Sequence, residues 1–303
     1  FVNVNRGKRS VALDLRKDED KAILRGLVGK ADVFIHSMRA KAIGKLGFSY
    51  EDVAALNPKI IYTNCYGYGR RGPDADLPAY DDTIQAECGL PAVQEMLTGA
   101  ANYVGTIMAD KVAGLTVLYA TVMALFSRER TGEGQEVEVG MFETMASFML
   151  VEHADKSIFD PPLGAACYHR AVAPNRRPYQ TKDGYICALV YNDGHWRRFF
   201  AAIGRPDVLE TDARYRNFAA RMAHIDEVYG ELSEIMLTRT TAEWLDLFQQ
   251  ADVPAMPMHD FESVLEDPHL QATGFFEPVE HPSEGSIKQM AVPAKWSRTP
   301  AKP

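Results

Sequence analysis

Apolar positions change their rhythm along this chain, and each rhythm predicts an element. Ala31–His36 (ADVFIH) and Ile60–Cys65 (IIYTNC) are short, nearly continuous apolar runs, the mark of strands covered on both faces. Ser10–Leu15 (SVALDL) alternates and predicts a further strand, with Phe1–Asn5 as another strand's lead-in. Between them, Asp18–Lys30 carries Ala22, Ile23, Leu24, Leu27 and Val28 as a helical stripe. Tyr50–Leu56 predicts a short helix that Asn57-Pro58 ends. Strands separated by helices need crossover connections, so the first half predicts a parallel, doubly wound sheet.

Asp110–Arg128 is the strongest predicted helix. It is apolar on nearly all sides, which predicts burial, and Arg128–Gly132 closes it with cations and a breaker. Gln135–Val139 alternates as a strand, and Met141–Val151 predicts a second apolar helix. Phe159–Arg177 then loses all period, holds Pro161, Pro162 and Pro174, and reads as a linker. Beyond it, Tyr185–Tyr191 predicts a strand. Asn192–Ile203, Ile225–Leu237 and Thr241–Gln250 predict helices, and Val253–Met258 an edge segment.

Composition narrows the class. With 46% apolar and 24% charged residues the 303-residue chain reads as globular, and its net charge of −8 argues against a nucleic-acid partner. Cys65, Cys88, Cys167 and Cys187 form no C-x-x-C pair, so reduced thiols in a cytoplasmic protein are expected. The longest mostly apolar run, Val112–Phe126, falls short of the ~20 residues that span a bilayer, so no membrane partner is expected. The opening residues do not read as a secretory leader, and Phe1 suggests a start within a longer protein.

The eight histidines are scattered without metal spacing, so no metal is expected. There is no G-x-G-x-x-G, no phosphate-binding P-loop and no G-x-S-x-G elbow. Asp110 stands out. An aspartate at a helix start most often only caps. This one opens a helix expected to be central, where the helix dipole and free N–H groups would keep its carboxylate ionised. Gly114, one turn on, leaves room for a bulky group to approach. A buried, ionised, approachable carboxylate is what a carboxylate nucleophile requires.

The run Asn5-Arg6-Gly7-Lys8-Arg9-Ser10-Val11-Ala12-Leu13-Asp14-Leu15 resembles the N-R-N-K-R-S-V-x-L-D-L stretch of the family III CoA-transferases (the CaiB/BaiF family). Leu46-Gly47-Phe48, Asn57–Tyr62, the Gly67–Pro73 turn, Ala79-Tyr80-Asp81 and Gly132–Gln135 follow in the same order. So do Asp183-Gly184-Tyr185, Trp196, Ala242-Glu243-Trp244 and the Ala251–Met258 stretch. The resemblance implies a large Rossmann-like α/β domain over residues 1–160, a linker at 161–177 and a smaller α/β domain at 178–276. It implies a segment, 277–303, returning toward the large domain. It also implies that the family's first strand and helix would precede Phe1, and that two chains interlock as a homodimer.

The resemblance further implies that Asp110 is the catalytic nucleophile and that coenzyme A is bound as substrate, with no metal or redox cofactor. Tyr80 falls where the family places a ring beside the pantetheine arm, and Asp81 beside it is read as at most orienting its neighbours. Arg16, Lys45 and Leu46 fall at the adenine and phosphate end. Arg70 and Arg71 stand where small polar residues are usual, and are candidates for a CoA phosphate or plain surface. The family's E-N-F-R-P-G reads here His36-Ser37-Met38-Arg39-Ala40-Lys41, with only the arginine kept. The implied activity moves CoA from an acyl-CoA to a free carboxylic acid. An α-methylacyl-CoA racemase would need a histidine at position 80; tyrosine is a poor base near neutrality. A non-catalytic acyl-CoA-binding partner subunit and a CoA-ester hydrolase are the remaining alternatives.

Overall fold

The computed structural model describes residues 2–301. Phe1 of the expected lead-in, and Lys302 and Pro303 of the expected return segment, lie outside the described residues. The chain opens on a helical turn, α1 (Val2–Asn5), where the pattern predicts a strand lead-in. Ser10–Leu15 is irregular rather than a strand, and its Val11 is 60% exposed. Alternation makes a strand only where a partner strand and a core receive it; here Leu15 reaches the core, but no strand among the described residues pairs with the run.

The elements that follow are α2 (Asp18–Val28), β1 (Val33–His36), α3 (Ala40–Lys45), α4 (Tyr50–Leu56), β2 (Ile61–Tyr66), α5 (Asp81–Glu87) and α6 (Leu90–Thr98). Then come α7 (Met108–Thr131), β3 (Gln135–Gly140) and α8 (Met141–His153). The three strands run parallel in the order β1-β2-β3. Successive side chains of β2 point to opposite faces. Tyr62 packs with Val28, Ile43, Phe48 and Val53 on one face. Thr63 meets Thr121 of α7 at 2.8 Å on the other. Helices therefore cover both faces, as the apolar runs predict. Ser49 and Asp52 cap α4 reciprocally, and the Asn57 amide ties the loop after it to the carbonyls of Val28 and Ala31.

The second half holds β4 (Tyr179–Gln180), β5 (Tyr185–Ala188), α9 (Asp193–Ala202), α10 (Val208–Thr211), α11 (Phe218–Ala223), α12 (Ile225–Met236) and α13 (Thr241–Gln250). It ends with β6 (Ala255–Pro257), α14 (Phe261–Leu265), α15 (Pro268–Ala272) and the hairpin β7 (Phe276–His281)–β8 (Gly285–Met290). Contacts group the described chain into two compact units. One holds residues 13–177 and 212–232; the other holds 2–12, 178–211 and 233–301. The second has its own aromatic core, in which Phe199 stacks on Phe248 at 5.6 Å and the Trp244 indole N–H donates to the Met236 carbonyl at 2.8 Å.

The burial expected of the Asp110 helix is not observed. Helix α7 is 24 residues long, and it starts at Met108 rather than Asp110. Its buried residues are the small Ala109, Ala113, Thr121 and Ala124, which let it lie close on β2, β3, α5 and α8. Leu115, Leu118, Tyr119, Val122, Met123 and Phe126 are exposed, Met123 by 66%. By length and composition α7 could cross a bilayer, with an 18-residue window of mean hydropathy 1.4. One side of it packs along β2 and β3.

Candidate active site

Strand β2 delivers Cys65 and Tyr66 to the carboxyl end of the sheet, the edge where open α/β sheets hold ligands. Gly67 follows. A Cβ on Gly67 would stand 2.3 Å from that of Ala79, so only glycine lets the 70–80 segment cross this strand end. That crossing sets Pro78, Ala79 and Tyr80 against the start of α7. Between them lies a cavity of about 760 Å³, which Asp110 and Tyr80 both line. Its α7 wall is the stripe Asp110, Ala113, Gly114, Val117, one helical face of small residues. A Gly67→Ala variant should therefore push Tyr80 out of place. We expect it to destabilise the protein by about 1–3 kcal/mol, as overpacking does, with a raised KM for acyl-CoA. Chemical denaturation and steady-state kinetics together check this.

Asp110 is the third residue of α7. Its amide donates to Asp81 Oδ1 at 3.0 Å, and Asp81 Oδ2 accepts from the Gln85 side-chain amide at 2.6 Å. Asp81 is 8% exposed, whereas the Asp110 side chain opens into the cavity. The expectation of a deeply buried Asp110 is thus corrected, because the first turn of α7 faces an open hollow. The expected electrostatics also differ. Partial desolvation, with the Asp81 carboxylate second, moves the Asp110 carboxyl above the ordinary aspartate range, against the helix dipole. The Cys65 thiol, on the cavity floor, is pushed up by burial and then by Asp110. The amides of Met108, Asp110 and Lys111 are engaged by Thr106, Asp81 and Ile107, so most of the N–H groups expected to be free at this helix start already have partners.

His36 lines the cavity as well. Its Nδ1 accepts from the Met38 amide at 3.1 Å, so the proton sits on Nε2, which donates to the Tyr62 hydroxyl at 2.8 Å; that hydroxyl donates on to the Phe48 carbonyl at 2.8 Å. Burial lowers its pKa, and both ring nitrogens are committed in the neutral form. Arg39, the one family residue kept in this loop, lines the same cavity.

The other residues expected from sequence are spread out. Arg16 is exposed and paired with Asp14 at 2.8 Å. Lys45 ends α3 on the surface, and Leu46 packs against the Val28–Phe48 core. Arg70 lies between Glu136 at 2.7 Å and Glu138; burial opposes its charge, and the two carboxylates outweigh it. Arg71 is exposed. Of the seven candidates, the structure brings only Asp110 and Tyr80 into this cavity. His36, Cys65 and Gln85 were missed, and only the retained Arg39 carried a signal in its motif. Among the described residues, no group of three His, Cys, Asp or Glu side chains is placed to hold a metal ion.

Comparison with known proteins agrees with this architecture. The succinate–glutarate CoA-transferase of Agrobacterium fabrum is 32% identical over 300 residues, covering 98% of this chain and 74% of that protein. The acetyl-CoA:oxalate CoA-transferase of Acetobacter aceti is 33% identical over 280 residues, covering 90% and 70%. The crystal structure of Rv3272 from M. tuberculosis superposes with a TM-score of 0.84 at 26% identity, covering 98% of this chain and 80% of that one. The sequence profile of CoA-transferase family III matches residues 1–303, and the chain belongs to that family.

Proposed function

We propose that this CoA-transferase moves CoA from an acyl-CoA to a free carboxylic acid through covalent intermediates on Asp110. The observation that carries the proposal is the Asp110 carboxyl standing open on a cavity whose adjoining helical face is Ala113, Gly114 and Val117. That face is low enough for a thioester to reach the carboxyl, and a Cβ on Gly114 would meet no described atom within 4 Å.

The Asp110 carboxylate attacks the acyl-CoA carbonyl, the C–S bond breaks, and CoA leaves as thiolate. The mixed anhydride keeps the activation of the thioester. The thiolate then attacks the Asp110 carbonyl and expels the donor acid, leaving an aspartyl–CoA thioester. The acceptor carboxylate attacks that thioester to form a second anhydride, and the thiolate completes the new acyl-CoA while Asp110 is regenerated.

The two CoA-transferases named above carry succinate, glutarate, acetyl-CoA and oxalate in their names, so acetyl- and succinyl-CoA donors against oxalate, succinate and glutarate form the first screen. New CoA esters scored by mass spectrometry support the proposal; free CoA and acid alone would point to a hydrolase. Tyr80 is a binding residue in this reading; it lines the cavity and is 77% exposed. Tyr80→Phe should keep turnover largely intact and weaken acyl-CoA binding by about 1 kcal/mol, one hydrogen bond. Deuterium exchange at the α-carbon of a 2-methylacyl-CoA, lost in Tyr80→Phe, would favour the racemase instead. The exposed apolar face of α7 supports a homodimer, which light scattering tests, and the four free thiols suit a cytoplasmic setting.

A further inference from the structure

Helix α7 begins without the usual cap. The residue before it is Ile107, whose side chain accepts nothing, so the first turn lacks the oxygen that normally receives the N–H of its third residue. That N–H belongs to Asp110, and its acceptor is Asp81, 29 residues earlier on α5. Asp81 thus acts as the missing cap from another helix, and where its carboxylate sits decides where Asp110 sits.

Gln85 lies one turn after Asp81 on α5 and is 1% exposed. Its Nε2 donates to Asp81 Oδ2 at 2.6 Å and to the Thr106 carbonyl at 3.2 Å, and its Oε1 accepts from the Val104 amide at 3.0 Å. One amide group therefore joins the capping carboxylate to the segment leading into α7. That segment is also held by Thr106 N–H to Val104 and Met108 N–H to Thr106, each 2.7 Å, and by the Lys111 ammonium donating to the Thr106 hydroxyl at 2.6 Å. We propose that Gln85 is a positioning residue for CoA transfer. It holds the Asp81 carboxylate where that carboxylate fixes the Asp110 amide, and so sets the angle at which the Asp110 carboxyl meets the thioester. This rests on the reading of Asp110 as nucleophile.

The donor and acceptor pattern gives a specific test. In Gln85→Glu two carboxylates would face each other, so one must keep a proton or they part. In the double variant Asp81→Asn, Gln85→Glu the pairing between positions 81 and 85 is complementary again, while the bond to the Thr106 carbonyl is lost in both variants. The carboxamide introduced at position 81 (its oxygen toward Asp110, its NH₂ toward position 85) can serve both neighbours. The carboxylate introduced at position 85 can still accept from Val104. The measurements are kcat and KM with the most active donor of the screen, per Asp110 site labelled by hydroxylamine trapping, with melting temperature alongside. Gln85→Leu and Gln85→Glu should each lower kcat by about 10–100-fold with KM within about threefold, because a misaligned nucleophile loses rate rather than affinity. The double variant should recover at least about tenfold over Gln85→Glu. If Gln85→Leu does not fold, Gln85→Glu and the double variant carry the test alone. A kcat per labelled site within about twofold of native in Gln85→Glu, or a double variant no faster than Gln85→Glu, overturns the proposal. An active Asp110→Ala enzyme would instead defeat the reading of Asp110 itself, whatever Gln85 does.

Discussion

Replacing Asp110 by alanine should lower CoA transfer by at least about 10³-fold, the loss expected when a covalent route closes. Its neighbours are poor substitutes. Cys65 lies on the same floor, but burial, the larger cause of its raised pKa, remains when Asp110 is gone and holds its thiol proton to higher pH, so it is a weak nucleophile. Asp81 is the nearer carboxylate, and both its oxygens are occupied, by the Asp110 amide and by Gln85. It cannot take over the attack without breaking the cap of α7. The loss should fall on kcat, because the substitution removes a bond made only along the reaction path. Incubation of native protein with acyl-CoA, then hydroxylamine, should place the modification on Asp110. Transfer at an undiminished rate in Asp110→Ala, or a label on another residue, would show that the covalent route runs elsewhere.

How much of this could be seen in the sequence depends on how far apart the partners lie. Asp110 and Tyr80 were legible because each sits in a local motif, and the cavity brings those two motifs together. The alternation of strand and helix was legible for β1, β2 and β3, which pair in parallel as crossover connections require. Ser10–Leu15 was misread because an alternating pattern states a preference and not a partner. The exposure of α7 was misread for a related reason. A helix apolar all round says that its surface needs covering, but not that its own chain supplies the cover. In sequence Arg70 reads equally as a CoA-phosphate ligand or plain surface, and only the folded chain sets Glu136 and Glu138 of β3 against it, 66 and 68 residues downstream. The Asp81–Gln85 network was the least legible, since its worth lies in a helix start that shows its missing cap only once folded.

The same site should make the folded protein less stable at neutral pH than it would be without its nucleophile. Partial burial, and then Asp81, raise the Asp110 carboxyl above its unfolded value, so between those two pKa values the folded state binds more protons than the unfolded state. Stability therefore falls as pH rises through that window, and the ionised Asp110 opposes folding at every pH above it. Asp110→Asn removes the charge and keeps the shape. The variant should resist urea better than native protein near about pH 7.5, and the difference should shrink as pH falls toward the ordinary carboxylate range. Because the side chain is open to solvent, the gain is discounted by screening, and the direction and its pH dependence are the tests. Catalysis should show the counterpart. The attacking carboxylate must be ionised, so kcat/KM should fall with decreasing pH along a limb set by the raised Asp110 value, and Asp81→Asn should move that limb to lower pH by removing the like charge. An Asp110→Asn protein that is no more stable at about pH 7.5, or whose difference from native is the same at about pH 4.5, would mean that the folded environment does not resist ionisation of Asp110, and the acid limb would then need another owner.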